Sequence, residues 1–182
     1  MFNYLATEFT YFFSYLNLFN YITFRTGGAI LTSLFFSLIF GELIIRKLIT
    51  FQPFGQPIRT DGPEEHLLKK TGTPTMGGIL ILSSMFVSLF LWSDLTNKFI
   101  WICFASSILF GFIGFIDDYK KIKYQNHQGL DTFTKFILQT FISLLILFFI
   151  HKSLPQNIND TLSFPFFKNL LIDLDIFYFF VG

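Results

Sequence analysis

Long apolar runs separated by short polar stretches dominate the pattern of this chain. A helix needs roughly 17–25 predominantly apolar residues to cross the hydrocarbon core of a bilayer. Four runs reach that length, at about 26–45, 76–92, 99–116 and 133–150, and a partial fifth covers 170–182. The pattern predicts an all-α, polytopic integral membrane protein with four complete transmembrane helices and a truncated fifth.

The segment before Arg25 has a different pattern. It is rich in aromatic residues but is interrupted by Asn and Thr, and it has neither a basic start nor a small-residue cleavage site. These features favour an interfacial helix or helical hairpin over a cleaved signal peptide. We therefore interpret residues 1–182 as one transmembrane domain with an interfacial N-terminal helix.

Composition supports a membrane environment. The chain is 52% hydrophobic and only 14% charged, whereas soluble domains carry about 25% charged residues. A net charge of +1 indicates no nucleic-acid partner. The single cysteine, Cys103, lies inside an apolar run and can form no intrachain disulfide, so we expect it to pack rather than react.

The connections between the apolar runs differ in basic charge, which predicts their orientation. If the four spans alternate, one side of the membrane receives twice as many Lys and Arg residues as the other and is therefore cytoplasmic. The richer side carries Arg46, Lys47, Arg59, Lys69, Lys70, Lys120, Lys121 and Lys123, with Lys135 just inside the fourth span; the poorer side carries Arg25, Lys98, Lys152 and Lys168.

Two adjacent carboxylates, Asp117 and Asp118, end the third run on the predicted cytoplasmic side. One interpretation is structural: the pair is the polar boundary of a span, balanced by the lysines that follow. The other is chemical, because paired carboxylates at a membrane boundary suit acid/base work or a Mg²⁺ ion that bridges phosphate oxygens.

A second polar loop, RTDGPEEHLLKKTGTPTMGG at 59–78, faces the same side. Thr73 fits a helix N-cap and Pro74 the first helical position. Gly77 and Gly78 then open the second span, either to leave free N–H groups that favour phosphate or to let helices approach closely.

Basic residues favour the phosphate interpretation of this loop. Lys69 and Lys70 directly precede the predicted helix start, and Asp117 and Asp118 lie on the same side of the membrane. Together these groups predict a site for phosphate and Mg²⁺.

Several motifs resemble the phospho-N-acetylmuramoyl-pentapeptide transferase (MraY) family. The two most specific are DGPEEHLLKKTGTPTMGG and, some forty residues later, GFIGFIDDYKK. Shorter similar stretches occur along essentially the whole chain: YITFR at 21–25, FFSLIFG at 35–41, FGQPIRTDGP at 54–63 and PFFK at 165–168.

The resemblance implies a reaction at the cytoplasmic face of the bacterial inner membrane. Members of the family transfer phospho-MurNAc-pentapeptide from its UDP carrier to undecaprenyl phosphate, which gives lipid I and UMP for peptidoglycan synthesis and requires Mg²⁺. The implied partners are therefore UDP-MurNAc-pentapeptide, undecaprenyl phosphate and membrane lipid. A homodimer through the membrane helices is expected by analogy alone.

The resemblance also implies roles for individual residues. Asp117 and Asp118 match the family's aspartate pair and are the catalytic and metal-binding candidates. Lys70 and Thr75 match positions that line the nucleotide-sugar pocket. The remaining substrate-binding candidates are Lys69, Lys121 and His66, of which His66 is alternatively a solvated loop histidine.

Family members continue for about as long again and supply a further aspartate that holds Mg²⁺. We therefore expect this chain to be the N-terminal half of a larger transferase, without turnover on its own. Two alternatives remain: an inactive remnant or membrane scaffold, and a related polyprenyl-phosphate N-acetylhexosamine-1-phosphate transferase.

Overall fold

Helices make up most of the described structure. The computed structural model describes residues 14–52, 55, 74–125, 129–155, 161–164, 167–173 and 178–181. A 3₁₀ helix at Ser14–Asn20 precedes four α-helices: α1 (Ile22–Phe51), α2 (Gly78–Trp92), α3 (Lys98–Tyr124) and α4 (Thr132–Ser153). An antiparallel pair of strands, β1 (Thr161–Phe164) and β2 (Phe167–Asp173), and a short helix, α5 (Tyr178–Val181), follow.

The helical architecture confirms the predicted class of all-α membrane protein. Helices α1, α3 and α4 are each long and apolar enough to cross a membrane, and α2 is a shorter apolar helix of 15 residues. Large apolar side chains on the described helices are exposed, for example Leu38 at 68% and Phe141 at 63%. Such surfaces face lipid or other membrane helices, so the chain is a multi-pass membrane protein.

Successive helices run antiparallel, as side-chain contacts at both ends of α1 and α2 show. At one end, Trp92 of α2 donates from its indole N–H to the hydroxyl of Thr32 in α1, at 2.9 Å. At the other end, Gln52 directly after α1 hydrogen-bonds the backbone of Thr75 before α2. Gly41 of α1 faces Leu80 of α2 between these two points.

Helix α3 continues this alternation against α2 and α4. Phe86 and Phe104 pack edge to face across α2 and α3, with ring centroids 4.7 Å apart. Between α3 and α4, Ile113, Leu130 and Ile142 form a buried apolar cluster. The end of α1, the start of α2, the end of α3 and the start of α4 therefore meet at one end of the molecule.

Local sequence defines the helix ends at that meeting point. Asp131 caps α4, because its carboxylate accepts a hydrogen bond from the backbone N–H of Phe133 at 3.1 Å. Helix α3 ends at Tyr124, and its C-cap residue, Gln125, has a left-handed backbone with φ 48°. Lys121 and Lys123 occupy the last turn of α3, where cations complement the helix dipole.

The C-terminal part differs from the predicted fifth span. Leu170, the predicted start of that span, lies in β2, and the helix begins only at Tyr178. Strands β1 and β2 pair Thr161 with Asp173 in register. A helical span from Leu170 would place two carboxylates of the sequence, Asp173 and Asp175, inside the membrane, which is costly. Asp173 is instead the last residue of β2. The N-terminal interfacial helix cannot be compared in full, because residues 1–13 lie outside the described residues.

Candidate active site

Asp117 is a buried carboxylate near the C-terminal end of α3, the end predicted to face the cytoplasm. Only 6% of the residue is exposed. Its Oδ1 atom accepts a hydrogen bond from the backbone N–H of Leu130 at 2.8 Å and lies 3.0 Å from the ammonium of Lys135. Its Oδ2 atom lies 2.6 Å from the ammonium of Lys121. A buried charge is tolerated only when it is paired and hydrogen-bonded, and Asp117 meets both conditions.

Asp118 is held from a different side. Its Oδ2 atom accepts hydrogen bonds from the Thr75 hydroxyl at 2.8 Å and from the Met76 backbone N–H at 3.2 Å. Its Oδ1 atom lies 3.3 Å from the Lys121 ammonium, a longer contact than that of Asp117. One lysine thus bridges both carboxylates, and Asp118 Oδ1 is the most loosely held of their oxygens among the described contacts.

The backbone of Met76 makes the second of these hydrogen bonds feasible. Met76 has φ 69°, in the left-handed region that non-glycine residues rarely adopt. This conformation turns its N–H toward Asp118 before α2 begins at Gly78. Local strain of this kind is maintained where the surrounding contacts over-determine it, and here the Asp118 carboxylate and a buried Met76 side chain supply those contacts.

The connection between α3 and α4 closes the site on the other side. Gly129 has φ 61°, and a Cβ atom at this position would lie 2.6 Å from Asp117 Oδ1 and 2.8 Å from Lys121 Cε. Glycine therefore lets the loop backbone pass directly over the carboxylate and lysine, which brings the Leu130 N–H into contact with Asp117.

An apolar groove of about 560 Å³ runs from the two carboxylates along α2 and α3. Most of its walls are apolar side chains from the facing sides of these helices, and Asp117 and Asp118 lie at one end. The other lining residues are Met76, Gly78, Ile79, Ile81, Leu82, Ser83, Phe86, Ile108, Gly111, Phe112, Gly114 and Phe115. The groove therefore has a charged end, at the two carboxylates, and mainly apolar walls.

Comparison with known proteins relates the sequence that forms this site to one group of enzymes. Residues 70–82 match the phospho-N-acetylmuramoyl-pentapeptide-transferase signature 1. The curated proteins named phospho-N-acetylmuramoyl-pentapeptide-transferase from Rickettsia prowazekii (strain Madrid E) and Rickettsia felis (strain ATCC VR-1525 / URRWXCal2) are each 51% identical over 162 residues, 89% of this chain and 44% of the relative. The protein of that name from Rickettsia bellii (strain RML369-C) is 47% identical over 164 residues, 90% of this chain and 45% of the relative.

The chain is a relative of the phospho-N-acetylmuramoyl-pentapeptide-transferases. The similarity to these transferases that the motifs indicated is thereby confirmed. The chain spans less than half the length of the curated relatives that it matches.

Four of the seven site residues predicted from the sequence lie together in the structure. Asp117, Asp118, Lys121 and Thr75 are connected directly by hydrogen bonds and ion pairs. The other three predicted residues, Lys69, Lys70 and His66, lie outside the described residues, so their placement stays a prediction.

Residues that the sequence did not identify as site residues also contribute. Lys135 was recognised only as a basic residue just inside the fourth span, although a charge at such a position is itself a signal of function. Gly129 and Leu130 follow a polar stretch with no distinguishing motif, and Gln52 lies after an apolar run. Their roles depend on tertiary contacts with residues distant in sequence.

The predicted start of α2 is wrong in detail. Pro74 was predicted at the first helical position, but α2 begins at Gly78, with Gly77 as its N-cap. The left-handed Met76 interrupts helical geometry. Thr73, the predicted N-cap, lies outside the described residues. Among the described residues, an added Cβ at Gly77 or Gly78 meets no atom within 4 Å, which favours an open helix terminus over close packing.

The carboxylate pair could supply some of the ligands of a Mg²⁺ ion. Magnesium in phosphate-handling sites is commonly held by one or two carboxylates together with substrate phosphates and water. The described residues contain no cluster of three or more His, Cys, Asp or Glu side chains. Asp117 and Asp118 therefore resemble part of such a site, in which other ligands complete the coordination.

Proposed function

We propose that this chain provides the phosphate-binding part of a phospho-MurNAc-pentapeptide transferase. In that reaction an oxygen of undecaprenyl phosphate attacks the sugar-bound phosphorus of UDP-MurNAc-pentapeptide, the bond to the uridylate oxygen breaks, and lipid I and UMP form. The observation that carries the proposal is a lysine-bound carboxylate pair at the end of an apolar groove. The relatives' names point to the same reaction.

The groove supports a lipid acceptor. Its walls are mainly apolar and belong to two membrane helices, so an isoprenoid chain lying there would remain in an apolar environment. The phosphate at the end of that chain would then lie beside Asp117, Asp118 and the ammonium of Lys121. This placement brings the attacking oxygen to the charged end without moving the lipid out of the membrane.

The two carboxylates suit different tasks. Asp117 already accepts contacts from two lysines and one backbone N–H, so it is placed to hold Lys121 and Lys135 toward the phosphates. Asp118 has the more loosely held oxygen and is the better placed to accept a proton from the lipid phosphate or to orient it. Phosphoryl transfer depends mainly on positioning and on neutralising phosphate charge, and both lysines supply positive charge.

The remaining predicted residues complete the proposal. Thr75, Lys69, Lys70 and His66 would contact the nucleotide sugar, as the resemblance implies. Mg²⁺, held by Asp117 or Asp118 with further ligands, would neutralise the phosphates of both substrates.

We also propose that the site faces the cytoplasm from the bacterial inner membrane. The helix ends that form the site carry the basic residues Arg46, Lys47, Lys120 and Lys123, whereas Lys98 and Lys152 lie at the opposite ends of their helices. Excess Lys and Arg on short connections is typical of cytoplasmic segments. UDP-linked substrates are soluble, so they would approach from the same side. Dimerisation stays a prediction by analogy.

The test is UMP release from membranes that contain the chain, with UDP-MurNAc-pentapeptide, undecaprenyl phosphate and Mg²⁺. A second protein in the same assay carries this chain in place of the matching region of the Rickettsia prowazekii relative, with that relative as a positive control. We expect release from the fusion, and a loss of about 10²–10⁴-fold when Asp118, the proposed proton acceptor, is changed to Asn.

Three results would contradict the proposal. An inserted fusion without release, beside an active relative, would favour an inactive remnant or scaffold. Release with UDP-N-acetylglucosamine in preference to UDP-MurNAc-pentapeptide would favour a related hexosamine-1-phosphate transferase. Release that is unchanged by Asp118→Asn would exclude the carboxylate pair as the centre of the reaction.

A further inference from the structure

Gln52 is a buried amide at the end of α1, with 3% of the residue exposed. Its backbone N–H ends the helix by donating to the carbonyl oxygens of Leu48 at 2.9 Å and Ile49 at 3.2 Å. The helix end thus depends on the backbone of Gln52, and its side chain is available for another role.

The side chain of Gln52 pairs with the backbone of a single residue, Thr75. Its Nε2 donates to the Thr75 carbonyl at 3.2 Å, and its Oε1 accepts from the Thr75 N–H at 2.9 Å. Both polar ends of the amide are therefore satisfied, as burial of an amide requires. These two bonds connect the end of α1 to a residue 23 positions later in the chain.

Thr75 transmits this contact to the carboxylate pair. Its hydroxyl and the N–H of the next residue, Met76, both donate to Asp118 Oδ2, at 2.8 Å and 3.2 Å. The left-handed Met76, with φ 69°, makes the direction of its N–H sensitive to how Thr75 is held. A two-point contact on Thr75 fixes its peptide groups in orientation as well as in position.

We propose that Gln52 is a positioning residue for Asp118, acting through the Thr75–Met76 backbone. With Oδ2 of Asp118 held by two donors, the carboxylate presents Oδ1 to Lys121. The structural part of the proposal depends only on these contacts, and its catalytic consequence rests on the proposed transferase function. Residue 52 lies outside the matched signature at 70–82.

A purely structural role for Gln52 predicts different behaviour. An apolar side chain of similar length would fill the same buried volume without the cost of burying an amide. Gln52→Met therefore keeps the packing and the backbone helix end while removing both hydrogen bonds to Thr75. If Gln52 only fills space, this substitution should leave the Thr75–Met76 backbone unchanged.

The first test measures amide hydrogen exchange at Thr75 and Met76 in the purified full chain. In Gln52→Met we expect exchange at both amides to accelerate by on the order of tenfold, the effect of losing roughly one net hydrogen bond. Gln139→Met, the same substitution at an exposed position on α4, should leave these rates unchanged. Equal rates in Gln52→Met and the unmodified chain would overturn the proposal, whatever the enzymatic result.

The second test uses UMP release from the fusion protein described above. Gln52→Met and Thr75→Ala should each reduce the rate, and the double variant should lose less than the product of the two single losses, because both act on Asp118. A double loss equal to that product would show that Gln52 acts elsewhere and would overturn the proposal. If the unsubstituted fusion releases no UMP, the transferase proposal fails, and hydrogen exchange still decides the role of Gln52.

Discussion

Lys121 is the cation that joins the two carboxylates of the candidate site. It follows Asp117 by four positions and Asp118 by three, and both spacings place side chains on the same face of a helix. The side chain of Lys121 is only 21% exposed, whereas the neighbouring Lys120 belongs to the exposed residues of α3. Of these two adjacent lysines, Lys121 contacts the carboxylates of the site, and Lys120 contributes positive charge at the membrane boundary.

Replacing Lys121 by Met should damage the site, whereas Lys120→Met should not. Lys121→Met leaves Asp117 with Lys135 and one backbone N–H, and it removes a charged hydrogen bond that contributes about 1.5–3 kcal/mol to stability. Thermal unfolding in detergent and UMP release from the fusion would measure the two effects. Equal losses in both variants would mean that basic charge at the boundary matters and the bridging contact does not.

Gly129 is the residue at which a single methyl group should have a large effect. In Gly129→Ala the residue would keep φ near 61° at a cost of about 1–2 kcal/mol, and its Cβ would displace Asp117 or Lys121. We expect lower thermal stability and slower UMP release. Gly27→Ala is the control, because an added Cβ there meets no described atom within 4 Å and alanine favours helix. A stable, active Gly129→Ala variant would disprove the close approach.

Sequence alone predicted only part of this network. Asp117, Asp118 and Lys121 were identifiable because they are neighbours on one helix that ends at a membrane boundary. Thr75 was indicated by family resemblance. Gln52 and Leu130 were not identifiable, because each contributes through a contact with a residue distant along the chain, and neither side-chain type indicates a site by itself.

At the scale of the elements, α1 and α2 pack closely at the end opposite the site. The indole of Trp92 lies against Gly28, where an added Cβ would collide with the ring, and donates to the Thr32 hydroxyl. Phe19 stacks on the same indole at 5.7 Å between ring centroids, and Phe24 approaches it at 5.9 Å. A glycine and a tryptophan thus form a matched contact between two apolar helices.

Filling the space at Gly28 should weaken this helix pair selectively. In Gly28→Leu the side chain must displace Trp92, and overpacking of this kind typically costs about 1–3 kcal/mol. Gly27→Leu, one position earlier on an open face, should have little effect. We expect a lower unfolding temperature and altered tryptophan fluorescence in Gly28→Leu only. Identical melting curves for the two variants would contradict close packing at this position.

The helices themselves were predictable because apolar length is a strong signal, and each of the four complete predicted spans overlaps one of α1 to α4. Their ends were less predictable. The N-terminus of α2 depends on Met76, whose left-handed backbone is stabilised by Asp118 from another helix. The strand pair before α5 depends on pairing between Thr161 and Asp173, which no periodicity in the sequence revealed.

At the scale of the whole molecule, antiparallel packing places charged residues at one end and an aromatic cluster at the other. The end that holds Asp117 and Asp118 also holds the basic residues at the end of α1 and in the last turns of α3. The opposite end holds the aromatic contact around Trp92 and the short connection from Ser93 to Asn97. The two ends of the molecule therefore differ in chemistry because antiparallel helices bring alternate connections of the chain to the same end.

The last prediction concerns which end faces the cytoplasm. In a Cys103→Ser background, Lys123→Cys and Lys152→Cys place single exposed thiols at opposite ends of the described helices. In cells, a membrane-impermeant maleimide should label the Lys152 position readily and the Lys123 position only after the inner membrane is opened, because the richer basic end is retained inside. Labelling of both after denaturation confirms that each thiol is reactive. The reverse pattern would place the carboxylate pair on the outer face, where soluble UDP-linked substrates are absent, and would contradict the proposed function together with the orientation.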